Sequence, residues 1–373
     1  MLHTLHIKNF TIFSEAQFEF SPGLNVIIGD NGTGKSHLLC LGYATLSVLH
    51  EALQDSQHQA KNKELWQRDL ADKLKTVFRP EKLGRLCRLR QRQRAEIKMT
   101  SSLIGQAAPQ LTTAFSFFVT AKEKVKLEEQ SPSFNTLKSS KNRLETFKRT
   151  PLPLFFPIKE VLSFYPGFMK SYEERELAFD AIYYDLCKAL SATPLKGKRA
   201  QEMAELVAPL ENILQGFVIL EFNRFYLQHT ENGKMEISLV PEGLRKIAML
   251  TYLIKNGGLA KGSTLFWDEP EVSINARLQV KLVDTLVALV KAGVQVILTT
   301  HDLFLMKELY LRAISSKMPT HFFSLQKGEQ GIEVEHGEQL DDLSNVVVID
   351  AGLDQFDREQ DVFYQEIFKA EAA

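Results

Sequence analysis

No stretch of this 373-residue chain approaches the ~18 consecutive apolar residues that a membrane-spanning helix requires. The opening MLHTLHIKNF lacks the charged-then-apolar layout of a secretory signal. A membrane bundle or a secreted product is therefore not expected, and a cytoplasmic location is. Cysteine is scarce. Cys40, Cys87 and Cys187 are odd in number and far apart, with no metal-ligand spacing. They read as small buried hydrophobes in a reducing compartment. Internal repeats and low-complexity tracts are absent, and so is any large net charge. With 44% hydrophobic and 24% charged residues and a net charge of −1, global disorder and collagen-like structure are excluded.

The near-zero net charge hides an asymmetry. Residues 61–98 carry 13 Lys/Arg against 5 Asp/Glu, whereas residues 329–373 carry 2 against 13. A basic segment is a candidate nucleic-acid footprint, and an acidic tail is a candidate partner or repelling surface. The length exceeds the ~250–300 residues at which one core usually stops growing. One large domain with a long insertion, or two lobes, is expected.

Periodicity organises the chain. Leu5 and Ile7 share one side of a first strand, Phe18 and Phe20 one side of a second, and 25–28 is a short apolar third. A glycine-rich turn follows, then a helix from Lys35 to about His50 and a polar helical stretch over 51–78. Short strands are expected at 95–100, 115–120 and 124–128, and a mobile loop over 129–150. Residues 152–158, flanked and interrupted by Pro151, Pro153 and Pro157, suit a strand end. Residues 159–215 read as mainly helical, with breaks at Pro194 and Pro209. The spacing then predicts a hairpin of 217–229 and 235–240 about an Asn232-Gly233 turn. A helix over 243–255 is stopped by Asn256-Gly257-Gly258. A buried strand at 264–267, a helix over 275–291 and a buried strand at 294–298 complete the pattern. The expected organisation is 1–158, a helical lobe at 159–216, and 217–373.

Three segments carry chemistry. Gly29-Asp30-Asn31-Gly32-Thr33-Gly34-Lys35-Ser36 matches GxxxxGK[ST]. Glycines let backbone N–H groups approach phosphate oxygens, and the following helix N-terminus adds partial positive charge. Lys35 is placed for the β- and γ-phosphates of ATP, and the Ser36 hydroxyl for Mg²⁺. At the second segment, Leu265-Phe266-Trp267-Asp268-Glu269-Pro270, an apolar strand ends in two carboxylates. Asp268 suits Mg²⁺, and Glu269 suits orientation or deprotonation of an attacking water. Strand alternation would send the two carboxylates to opposite sides unless the chain turns there, and Pro270 marks that turn. At the third, a buried strand delivers Thr299-Thr300-His301-Asp302, where His301 could meet a γ-phosphate.

This order of elements resembles the ABC-type ATPases. The segments Leu5–Phe10 and Leu24–Gly29 resemble the non-transporter branch, which includes RecF, SMC-like and break-repair ATPases and the overcoming-lysogenisation-defect class. Pro157–Ser163, Glu242–Lys246 and Phe266–Glu271 are similar to the "AAA, putative AbiEii toxin" ATP-binding proteins of anti-phage loci. The resemblance implies an α/β ABC-ATPase head: a mixed sheet with the phosphate loop, an N-terminal antiparallel β portion and an inserted helical lobe. It implies ATP and Mg²⁺, hydrolysis, and a homodimer or higher homo-oligomer sandwiching ATP. It also implies a regulatory role beside a separate effector, a nuclease or toxin; RecF-like repair and a low-turnover scaffold that holds a toxin inactive are the alternatives.

In such a sandwich each phosphate loop faces the partner's signature segment, here Val240–Lys246. Pro241 and Glu242 depart from the Leu-Ser-Gly-Gly pattern, so Gly243 is left with Arg245 and Lys246 as compensating contacts. The segment 271–275 would cross to the partner. No Gln-loop glutamine is evident, and Lys159 or Glu160 stands in its place. Phe10 and Phe13 are candidates for stacking on adenine, although core packing explains them better. Arg88, Arg90, Arg92 and Arg94 alternate with other residues. On a strand they would face one side and could track DNA phosphates, or dock an acidic protein surface.

Overall fold

The computed structural model describes all residues except 55–62, 89–93, 104–110, 121–123, 132–150, 175–176 and 372–373. Its centre is a six-stranded sheet. The strands run β14(Gly331–Gly337), β13(Thr320–Gly328), β3(Leu24–Gly29), β12(Gln295–Thr300), β11(Thr264–Asp268), β7(Leu154–Phe156). All neighbours are parallel except the β13–β14 pair. Parallel strands are covered on both faces, which accounts for their nearly unbroken apolar runs. Alternation divides these runs between two cores. Val26, Ile28, Leu265, Trp267, Val296 and Leu298 enter one, while Ile27, Phe266 and Ile297 enter the other.

The second core is closed by α1(Lys35–Gln54), α2(Lys63–Phe78) and a five-stranded antiparallel sheet. That sheet is ordered β2(Phe13–Glu19), β1(Leu2–Phe10), β4(Ala95–Leu103), β5(Leu111–Val119), β6(Val125–Ser131). Leu2, Leu5 and Ile7 point into the core, and His6 and Lys8 point away. The two sheets are clasped by Gln295. Its amide accepts from Leu2 N at 2.8 Å and donates to Leu2 O at 2.7 Å and Ser21 O at 2.8 Å.

The first core is shared by α3(Phe168–Glu173), α4(Ala181–Leu190), α5(Lys198–Leu214), α6(Glu242–Lys255), α7(Ala276–Lys291) and α8(Leu303–Ser316). Caps set several of these starts. Asn275 accepts from Leu278 N, and Asp302 from Leu305 N. A three-stranded sheet, β10(Gly233–Glu236)–β9(Arg224–His229)–β8(Gly216–Glu221), leads into α6. The chain continues after β14 into α9(Val347–Glu371). No described helix is long and apolar enough to cross a membrane.

Two expectations are corrected. Pro209 lies inside α5 and does not break it. One backbone hydrogen bond is given up there, while Val207, Leu210 and Leu214 on either side remain buried. Residues 217–229 are not one strand but most of a hairpin, β8–β9, turning at Phe222 (φ 49°) and Asn223 (φ 60°). Two consecutive positive φ values match the tight-turn geometry that Asn and Gly favour, and Phe222 disguises it in the sequence. The 129–150 loop falls largely outside the described residues, with 129–131 belonging to β6.

Candidate nucleotide-binding site

Three adjacent parallel strands end together. Thr300 pairs with Ile28, Thr299 with Ile27 and with Asp268. The carboxyl ends of β3, β12 and β11 therefore lie at one level, where ligands of open α/β sheets sit. From these ends project the phosphate loop, Asp268 with Glu269, and His301. The register of one sheet thus gathers residues from three distant parts of the chain.

The loop 29–34 has the geometry of an anion cradle. Gly29, Gly32 and Gly34 have φ values of 153°, 78° and 91°. A Cβ on Gly34 would lie 2.7 Å from Ile12 Cδ1 and 2.9 Å from the Phe13 ring, so the β1–β2 turn presses on the loop and only glycine fits. Thr33 N and Oγ1 both bond Asp30 O, at 3.3 and 2.8 Å. Lys35 is buried, and its Nζ donates to Gly29 O at 2.6 Å and Asp30 O at 3.1 Å. Burial lowers the lysine's pKa, while Glu269, Asp268, Asp30 and Glu271 pull the other way.

Asp268 ends β11 and accepts from Thr299 Oγ1 at 2.6 Å and from the Ser36 hydroxyl. Ser36 and Asp268 thus form a pair of hard oxygen donors beside the cradle, and this set fits Mg²⁺ with water completing the shell. Among the described residues no cluster of three or more His, Cys, Asp or Glu could hold a metal by itself. The chain turns at Glu269, whose φ is 47°; the bend expected at Pro270 falls one residue earlier. It aims Glu269 at His301, with Nδ1 to Oε1 at 3.0 Å.

Two further residues belong to the site. Thr299 Oγ1 accepts from Glu269 N at 3.2 Å while donating to Asp268, which fixes both carboxylates relative to β12. Glu271, buried, accepts from Thr300 Oγ1 at 2.7 Å and from His301 N at 3.3 Å. The run Asp-Glu-Pro-Glu contained this third carboxylate, but nothing in its spacing said that it would turn back onto β12.

Burial is the first cause raising the Asp268 pKa; Glu269 adds to it, and the Thr299 and Ser36 hydrogen bonds and Lys35 oppose it. A carboxyl group whose folded pKa is raised favours folding in acid and penalises it above that pKa. Asp268→Asn should therefore melt above the wild type at neutral pH. The difference should shrink as pH falls through the folded pKa toward the ordinary carboxylate range. Calorimetric melts across that range check this, and a constant difference would contradict it.

The signature segment is placed differently from expectation. Gly243, in the first turn of α6, meets the segment after Glu269: a Cβ there would be 2.4 Å from Ser273 O. Arg245 and Lys246 do not extend outward as contacts for a partner's nucleotide. Arg245 Nε lies 2.8 Å from Glu160 Oε1, and its guanidinium also bonds Val240 O at 3.0 Å. Lys246 is 1% exposed and donates to Val272 O at 2.8 Å. The α6 helix carries both cations into its own protomer because that face packs on the core. Glu160 is buried in this ion pair and Lys159 is exposed. Phe10 and Phe13 are fully buried in the core rather than open to an adenine.

The basic strip is only partly described. Arg88 and Arg94 lie outside any strand, and Arg90 and Arg92 lie outside the described residues. Arg88 donates to Gln330 O at 2.9 Å. Arg94 pairs with Glu96 and Glu128 at 2.8 and 3.0 Å and covers the Phe118 ring. Both described arginines are engaged within the chain and neither sits on a strand, so these two do not form the expected strand face.

Comparison with known proteins agrees with this geometry. Among solved structures, an SMC head bound to the C-winged helix domain of ScpA superposes with a TM-score of 0.54 at 12% identity, covering 91% of this chain and 98% of that one. The fold is therefore that of an SMC-type ABC-ATPase head. In sequence, 53 residues are 50% identical to the DNA repair protein RecN of Rickettsia bellii, or 13% of this chain and 10% of the relative. Another 65-residue match is 38% identical to the DNA replication and repair protein RecF of Azobacteroides pseudotrichonymphae, 17% and 18% respectively. The chain thus matches under a fifth of the length of these curated relatives. A general AAA-domain model matches residues 4–151. The model described as "AAA domain, putative AbiEii toxin, Type IV TA system" matches residues 79–307, more than half the chain, and the protein belongs to that family of ABC-type, RecF/SMC-like AAA ATPases.

Proposed function

We propose that this protein binds ATP with Mg²⁺ and hydrolyses it as the regulatory ATPase of a cytoplasmic anti-phage module whose effector, a nuclease or toxin, is a separate protein. The observation that carries the ATPase reading is the common level of the three strand ends, which gathers Lys35, Ser36, Asp268, Glu269 and His301. Gly29, Asp30, Asn31, Gly32, Thr33 and Gly34 cradle the phosphates with backbone N–H groups, and Lys35 neutralises their charge. Ser36 and Asp268 would hold Mg²⁺, which supplies Lewis-acid stabilisation of phosphate charge. Glu269 orients a water and takes its proton, and His301, bonded to Glu269, keeps that carboxylate in place. Two copies close on the nucleotide, each presenting the α6 N-terminus to the other's phosphates, with Gly243 packed beneath it against Ser273. Arg245 and Lys246 support that surface from inside through Glu160 and Val272.

The family name supports the defence role. The RecN and RecF matches support a second reading, a repair ATPase that closes on DNA. Steady-state ATPase assays with and without duplex DNA discriminate between them. Turnover indifferent to DNA is expected. Stimulation by duplex DNA would favour repair, and tight ATP binding without turnover would mark a scaffold.

A further inference from the structure

Helix α9 begins on the body of the protein and then leaves it. Leu343 and Val346, just before it, are buried in the first core, and Val348 and Ile349 in its first turn pack against that core. Beyond Ile349 the apolar residues continue without cover. Leu353 is 60% exposed, Phe356 56% and Phe363 60%. With Gln360, the positions 349, 353, 356, 360 and 363 follow alternating steps of four and three. That is the seam of a helix that packs against another helix.

The charges beside the seam say what kind of helix fits. From 350 to 364 there are five carboxylates, Asp350, Asp354, Asp357, Glu359 and Asp361, and one cation, Arg358. All six are exposed. Helical geometry places Arg358 opposite the seam. It places Asp350 and Asp357 directly along one flank and Glu359 along the other. Both flanks are therefore acidic. A second copy of the helix, parallel or antiparallel, would set carboxylates against carboxylates and be repelled.

We propose that α9 is a docking helix for a partner protein that presents an amphipathic helix with an apolar seam flanked by lysine or arginine. None of the seam or flank residues belongs to the nucleotide site, and the proposal does not depend on ATP hydrolysis.

The test titrates the 373-residue chain into two labelled helical peptides by fluorescence anisotropy. Both peptides carry leucine seams; one has lysine on both flanks and the other glutamate. The lysine peptide should bind at least about tenfold more tightly, and its affinity should fall with added salt. Leu353→Ser with Phe356→Ser leaves every charge in place and should remove most of that binding. Asp350→Lys, Asp357→Lys and Glu359→Lys together should transfer preference to the glutamate peptide. These side chains are exposed, so unchanged melting and ATP binding should accompany both variants. Equal binding of the two peptides, or of neither, would overturn the proposal. So would a dimer in sedimentation equilibrium that Leu353→Ser with Phe356→Ser disperses, since the seam would then serve a second copy.

Discussion

Replacing Lys35 with alanine should weaken ATP binding by at least about 100-fold, or about 2.8 kcal/mol. The Lys35 ammonium is buried at the mouth of the loop, held by the carbonyls of Gly29 and Asp30. Four carboxylates act on it there and oppose the loss of its proton. A preorganised cation in such a place is worth far more to a polyphosphate than one in water. Without it, phosphate would meet Asp268, Glu269 and Glu271 with one fewer cation to offset them. Isothermal calorimetry measures the effect, alongside a melt to show that the variant is folded. An unchanged dissociation constant would exclude the loop as the phosphate site.

The second large effect is expected at Glu269. Glu269→Gln retains an oxygen that can accept from His301 but cannot take a proton from water. Turnover should fall by about 100-fold or more while ATP binding persists. If closure of two copies depends on intact ATP, the same substitution should also prolong an ATP-dependent dimer in sizing chromatography. A variant that hydrolyses at the wild-type rate would move the base elsewhere in the site. An elution position that ignores ATP in both proteins would argue against the sandwich.

The parts of this molecule legible in its sequence are those governed by local rules. The phosphate loop was legible because glycine spacing, a lysine and a hydroxyl at fixed offsets encode one backbone path. The strands at 24–29, 264–268 and 295–300 announced themselves as short apolar runs bounded by polar residues. Asn275 and the Asn256-Gly257 pair marked helix ends to within a residue. Other features depend on what lies across the fold. Arg245 and Lys246 looked like free cations at a helix start. Only tertiary packing decides that they turn toward Glu160 and Val272. Glu271 is separated from Glu269 by one proline, yet the turn at Glu269 sends it back against β12. The turn at Phe222 went unread because a bulky aromatic stands where turn chemistry favours a small or polar residue.

The position of β3 in the central sheet has a consequence for synthesis. The strand that carries the phosphate loop, 24–29, is made well before its two neighbours, β12 and β13, which come from residues 295–300 and 320–328. At roughly 5–20 residues per second, it leaves the ribosome with both edges unpaired for on the order of 15–60 seconds. During that interval an apolar strand with open edges is a hazard for wrong pairing. Pairing so remote in sequence also carries a large loop-closure cost and slows folding. A chain cut short before residue 295 would hold the complete GxxxxGKS sequence, Asp268 at the end of β11 and Glu269 after it. It would still lack the strand that sets them at one level, so the candidate site is assembled only once residues 295–300 have been added.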